Sequence, residues 1–151
     1  HTGICNLRLG FGKDADNLYI TCKVKDGELY SGGQGTQKGS GVFIYLDTKN
    51  ECLKEPAEGV YKVWCSYKGD ITVWQGNKGK WENSELEGLQ ITPSVVSGGY
   101  ELAFTIPLNR SFNKDAMRLC ATLSTKTYTE TLVHSNADRS CTWMKMNLGG
   151  H

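Results

Sequence analysis

The chain has 151 residues, long enough for one domain that buries roughly two thirds of its unfolded surface, and no second core is needed. Its 17 Lys and Arg nearly cancel its 16 Asp and Glu, and no basic run interrupts the balance, which argues against capture of nucleic acid or an anionic membrane. The longest apolar stretches, "GVFIYL" and "LAFTIPL", are far too short to cross a bilayer, no signal peptide is evident, and a start at His1 reads as a processed or excised segment.

Glycine is abundant, with 18 residues against 3 prolines, and segments of period two recur between Gly/Asn/Asp/Ser clusters. That is an all-β pattern. "NLYITCKV" turns Leu18, Ile20, Cys22 and Val24 inward; "GVFIYLD" buries Val42, Ile44 and Leu46 and leaves Phe43, Tyr45 and Asp47 outside. "YKVWCSYKGDITVWQG" alternates in both halves, with Tyr61, Val63, Cys65 and Tyr67 on one side and Lys62, Trp64 and Ser66 on the other. Beyond the turn, Ile71 and Val73 oppose Asp70, Thr72 and Trp74. A hairpin must bring the two apolar rows to one face. A loop at Lys68-Gly69-Asp70 does so, pairing Tyr67 with Ile71 and Cys65 with Val73, and it sets Trp64 opposite Trp74 on the polar face. "GYELAFTIPL" buries Tyr100, Leu102, Phe104 and Ile106, and "MRLCATLS" buries Met117, Leu119, Ala121 and Leu123. "WMKMNL" buries Met144, Met146 and Leu148 and leaves Trp143 outside. With no helical period, repeat or linker, the architecture is a two-sheet antiparallel β-sandwich, jelly-roll-like, formed by residues 1–151 as a single domain.

Six cysteines, Cys5, Cys22, Cys52, Cys65, Cys120 and Cys141, include no CxxC or CxxxC pair, so zinc is not indicated. An even number at wide spacing suits an oxidising compartment, secreted or at the cell surface, where up to three disulfides could form. The competing reading is buried thiols, since Cys22 and Cys65 fall on apolar strand faces. The sequon Asn109-Arg110-Ser111 is compatible with secretion but common by chance.

The ordered set "DADNLYITCKVKD", "GSGVFIYLDTKN", "YKVWCSYKGD", "GGYELAFTIPL" and "TWMKMNL" resembles the family 9 carbohydrate-binding modules and related domains, from about Leu7 to Leu148. The resemblance implies a β-sandwich that binds sugars without transforming them, often beside a polysaccharide-degrading enzyme. The chain lacks the usual opening segment with its "IDG" and tryptophan. The family's sugar-binding glutamate falls on Phe43, its binding arginine on Lys62, and the second tryptophan of its ligand sandwich near Trp143. The first sandwich tryptophan has no counterpart in "LYSGGQGTQKGSG", where Tyr30 is the sole aromatic. The resemblance therefore carries the fold and leaves the family's sugar-end pocket open.

If the strand matched to "GVFIYLD" neighbours the hairpin, as the resemblance implies, then Phe43, Tyr45, Lys62, Trp64 and Trp74 share one outer face, with Trp143 extending it. Aromatic rings offer a flat apolar surface to the C–H faces of sugars, and charged groups beside them take the hydroxyls. The expected function is non-catalytic binding of an oligo- or polysaccharide on this exposed platform. Two other readings stand beside it: a loop such as Asp26-to-Ser40 folds over the rings as a second small core, or the face docks a neighbouring catalytic or scaffold domain. Redox alternatives are weaker. Copper would need His1 and His134, and haem would need His134 with one of Met117, Met144 and Met146, which alternate inward as core filler. Asp14, Asp16, Asp26, Asp47 and Asp138 near strand ends are candidate calcium ligands, with solvated loop carboxylates as the competing reading. No nucleophile-and-base set or paired carboxylates mark an enzyme.

Overall fold

The computed structural model describes residues 6–31, 39–125, 129–131 and 138–148; His1, Cys5, His134, His151 and the middle of the Asp26-to-Ser40 segment lie outside them. In chain order the strands are β1 (Asn6–Lys13), β2 (Asn17–Lys25), β3 (Gly41–Asp47), β4 (Val60–Ser66), β5 (Ile71–Asn77), β6 (Lys80–Asn83), β7 (Gln90–Val96), β8 (Gly99–Pro107), β9 (Ala116–Ser124), β10 (Thr129–Thr131) and β11 (Met144–Asn147). One 3-10 turn, Ser140–Thr142, precedes β11. Among the described residues they form a four-stranded sheet, β1-β2-β8-β7, and a seven-stranded sheet, β10-β9-β3-β4-β5-β6, with β11 also on β9. Neighbouring strands pair antiparallel throughout.

The period-two rows meet between the sheets. Leu18, Ile20, Cys22 and Val24 of β2 and Tyr100, Leu102, Phe104 and Ile106 of β8 pack against Val42, Ile44 and Leu46 of β3 and Met117, Leu119, Ala121 and Leu123 of β9. The expected β-sandwich and its main core are therefore present. Strands β1, β6 and β7 extend the sheets beyond the segments read from the alternation. Pro93 in β7 is tolerated because that strand is an edge.

Two expectations need correction. Met144 is 39% exposed, because it opens a short strand at the margin of the sheet, while Met146 is buried. The hairpin register also differs: Cys65 pairs with Ile71, Val63 with Val73, Lys62 with Trp74, and Trp64 with Thr72. The loop is Tyr67-Lys68-Gly69, closed by hydrogen bonds from Ser66 N to the Asp70 carbonyl (2.9 Å) and from Gly69 N to the Ser66 carbonyl (2.9 Å). A three-residue hairpin loop wants its third residue in the left-handed region. Gly69, at φ +95°, satisfies this, whereas the loop expected from the sequence would have put Asp70 there. The Ser66 hydroxyl accepts from Lys68 N and Asp70 N, fixing the turn. Because the slip is even, every side chain keeps its face.

Candidate functional site

The outer face of the seven-stranded sheet collects the aromatic residues. Across β3, β4 and β5 the register sets Phe43, Trp64 and Thr72 in one row and Tyr45, Lys62 and Trp74 in the next. The third row carries Asp47 and Val60, with Trp81 entering from β6 opposite Gly76. Phe43 is the hub: its ring centroid lies 4.8 Å from that of Trp64, 6.2 Å from Tyr45 and 6.3 Å from Trp74. Tyr45 lies 6.0 Å from Trp81 and 5.8 Å from Trp143.

These rings are not one exposed platform. Trp64 and Trp143 are each 3% exposed and Tyr45 is 6% exposed, so three of the six residues expected to present a surface form its floor. The Trp64 indole reaches over Gly41, where an added Cβ would come within 2.5 Å of the ring. Glycine at that position lets the ring sink into the sheet. Burial of the Tyr45 phenol pushes its pKa up to about 12, so it stays neutral. Tyr45, Val60, Cys120 and Trp143 make a second small core, with Phe43, Leu53 and Trp81 packed against it. The alternative of a second core on this face thus holds for its lower layer.

A polar hub positions that layer. The buried Asp47 carboxylate accepts from Glu51 N (3.2 Å), Cys52 N (3.0 Å) and the Ser140 hydroxyl (2.8 Å). Ser140 Oγ also accepts from Leu53 N, and Cys141 N donates to the Leu53 carbonyl. Arg118 donates to Asn50 Oδ1 and to the Trp143 carbonyl. The 50–53 loop and the 139–143 segment are thereby fastened together, and Leu53 packs against the cluster of Tyr45, Val60, Cys120 and Trp143. Asp47, read as a candidate calcium ligand, is committed to this hub. Asp26 accepts from Glu28 N and Ser40 Oγ, Asp14 from Asp16 N, Asn17 N and the Tyr19 hydroxyl, and Asp138 from Trp81 Nε1. No group of three His, Cys, Asp or Glu side chains among the described residues is arranged to hold a metal.

Above the floor, Phe43, Trp74, Trp81 and Lys62 are half-buried and reach the surface. The Lys62 ammonium sits 4.9 Å from the Trp74 ring centroid, 5.1 Å from Phe43, and 5.9 Å from both Tyr45 and Trp81. Four rings thus surround one cation, each within cation–π range. Burial lowers the Lys62 pKa below 10.5, and the Asp138 carboxylate raises it in part. Asp138 in turn accepts a hydrogen bond from Trp81 Nε1 at 2.9 Å, which steers that indole and keeps an acceptor at the rim.

Trp81 is the member of this group that the alternation did not single out, because β6 is four residues long. The signal was the turn before it. Lys78 and Gly79 both have positive φ, 50° and 85°, in a two-residue loop of the type that closes tight hairpins.

No disulfide joins the five described cysteines. Cys22 and Cys65 are core residues, and burial raises both thiols, Cys65 to about 12.

The two sheets and the packed rings on the outer face of the larger one define a two-sheet antiparallel β-sandwich. Among solved structures, the chain is similar to a family 9 carbohydrate-binding module from Caldicellulosiruptor kristjanssonii in complex with cellotriose, with TM-score 0.79 and 16% identity over 100% of this chain and 78% of that one. A structure of a family 9 module from the same organism in complex with glucose is similar with the same score and identity, covering 80% of that chain. The resemblance read from the segment order is thus matched by the fold over the whole chain. No family model and no curated protein matches the sequence.

Proposed function

We propose that this chain is a non-catalytic carbohydrate-binding module whose site is the ringed surface of Phe43, Trp74 and Trp81 around Lys62, with Asp138 at its edge. The observation that carries the reading is the combination of three half-buried rings with one cationic donor and one carboxylate acceptor. Sugar C–H faces stack on the rings, Lys62 donates to hydroxyl or ring oxygens, and Asp138 accepts from a hydroxyl. Trp64, Tyr45 and Trp143 support the surface from below. The similar modules bound to cellotriose and glucose make a neutral glucan the first ligand to test. A secreted or cell-surface setting, beside a catalytic or scaffold domain, follows from such a role.

The test is calorimetric titration with cello-oligosaccharides together with a pull-down panel of insoluble polysaccharides. Binding should weaken by roughly 5- to 150-fold in Trp74→Ala and in Trp81→Ala with the fold intact. A correctly folded protein that holds none of the glycans would refute the reading.

A further inference from the structure

We infer that the outer face of the four-stranded sheet, on the far side of the sandwich from the aromatic site, is a second groove that takes an acidic polysaccharide. The register β1-β2-β8-β7 sets Arg8, Lys23, Glu101 and Ser94 in one outward row, and Asn6, Lys25, Gly99 and Val96 in the next. A depression of about 360 Å³ lies over these rows, lined among others by Arg8, Lys23, Lys25 and Glu101. It shares Lys23 and Glu101 with a second depression of about 200 Å³, whose outward walls are Thr21, Thr92, Ser94 and Ala103. The two depressions adjoin at Lys23 and Glu101, across β2, β8 and β7.

Charge decides what fits there. Arg8, Lys23 and Lys25 are exposed, and none of the three side chains is in an ion pair among the described residues. Arg8 lies directly opposite Lys23, and like charges at paired positions cost stability that an anion between them returns. Along β2, Lys23 and Lys25 stand about 6.6 Å apart, which suits an extended chain with repeated charges better than one small ion. Glu101, half-buried between the two depressions, is an acceptor for the hydroxyl groups of a sugar chain. Beyond it the second depression, lined by Thr21, Thr92, Ser94 and Ala103, is mostly apolar and suits the C–H faces of a sugar chain. The aromatic residue that lines the first depression, Tyr100, is fully buried, so its ring offers bases no stacking face there. A sugar chain carrying both hydroxyls and carboxylate or sulfate groups matches this pattern; a nucleic acid does not.

The test is affinity electrophoresis at low salt of the whole chain in gels containing polygalacturonate, heparin, a neutral β-glucan, single-stranded DNA or polyglutamate. Polygalacturonate, heparin or both should retard the protein, and which of them does so identifies carboxylate or sulfate as the recognised group. Arg8→Gln combined with Lys23→Gln should weaken that retardation about tenfold, as two surface charge contacts are lost. Its melting curve and its behaviour toward the neutral glucan should not change. Added salt should abolish the acidic-chain effect. Trp74→Ala with Trp81→Ala should leave it intact, which separates this groove from the aromatic site. The inference is overturned if neither acidic polysaccharide retards the protein, if the charge variant is retarded as strongly as the parent, or if DNA or polyglutamate binds more tightly than both.

Discussion

The seven aromatic and cationic side chains at the outer face of the seven-stranded sheet divide by depth, and depth predicts what each substitution does. Trp74 and Trp81 are half-buried and touch Lys62, so removing either indole should cost about 1–3 kcal/mol of glycan binding and little stability. Trp64 is buried over Gly41, so Trp64→Ala should cost about 3–5 kcal/mol of folding free energy in denaturant melts, whatever ligand is present. Lys62 supplies a pH test with two signs. Its folded-state pKa lies below the 10.5 of an unfolded lysine, so the folded protein releases this proton first as pH rises. Between the lowered value and 10.5 its contribution to stability therefore increases with pH, because the penalty for burying the charge disappears. Affinity should fall over the same interval, because the ammonium donor is lost. Lys62→Met should flatten this contribution to both profiles, measured by titration and by melts across that range; an affinity that stays flat in the parent protein would remove Lys62 from the site.

At the scale of elements, turns and close approaches hold the rings in register. Gly69 occupies the left-handed position of the β4–β5 loop, and a Cβ there would also come within 2.9 Å of Pro93 on the other sheet. Gly69→Ala should cost at least about 1 kcal/mol in chemical denaturation and leave affinity almost unchanged, since Trp74 keeps its face. Gly76 has a different role. A Cβ on it would lie 2.2 Å from Ala57 N and 2.6 Å from the Pro56 carbonyl carbon, so glycine lets the 53–57 loop rest on β5. Leu53 at the start of that loop packs against the Tyr45 and Trp143 cluster. Gly76→Ala should therefore lower stability by about 1–3 kcal/mol and weaken binding as well, and the two losses should appear together in melts and isotherms.

On the scale of the whole molecule, the main core and the aromatic cluster are the two faces of one sheet. Strand β3 carries Ile44 inward and Tyr45 outward, and β9 carries Ala121 inward and Cys120 outward. Neither cluster can lose its strands without the other. Thermal unfolding followed by tryptophan emission, which reports the outer face, should coincide with unfolding followed by far-ultraviolet circular dichroism, which reports the sheets. An earlier transition in the emission would show the outer cluster to be an independent unit. Iodide should quench the emission in part, from Trp74 and Trp81, and added glycan should protect that part.

The alternation of apolar residues determined the sandwich, because in a strand each side chain's face follows from its position and the inward rows can be counted without knowing their partners. It placed Leu18 to Val24, Tyr100 to Ile106 and Met117 to Leu123 in the core and turned Phe43, Tyr45, Lys62, Trp64 and Trp74 outward, while the resemblance supplied the strand neighbourhood that brings these five onto one face. Depth was not legible in that way. Whether an outward ring is floor or surface depends on the loops and strands laid across it: the Asp47 and Ser140 hub holds Leu53 against the Tyr45 and Trp143 cluster, and β6 brings Trp81 to Lys62. These contacts join residues far apart in the chain, and no local period encodes them. The cations Arg8 and Lys23 were equally silent in a sequence without a basic run, because what brings them side by side is the ladder between β1 and β2. Period two fixes which way a residue points, and tertiary contact alone decides what lies above it.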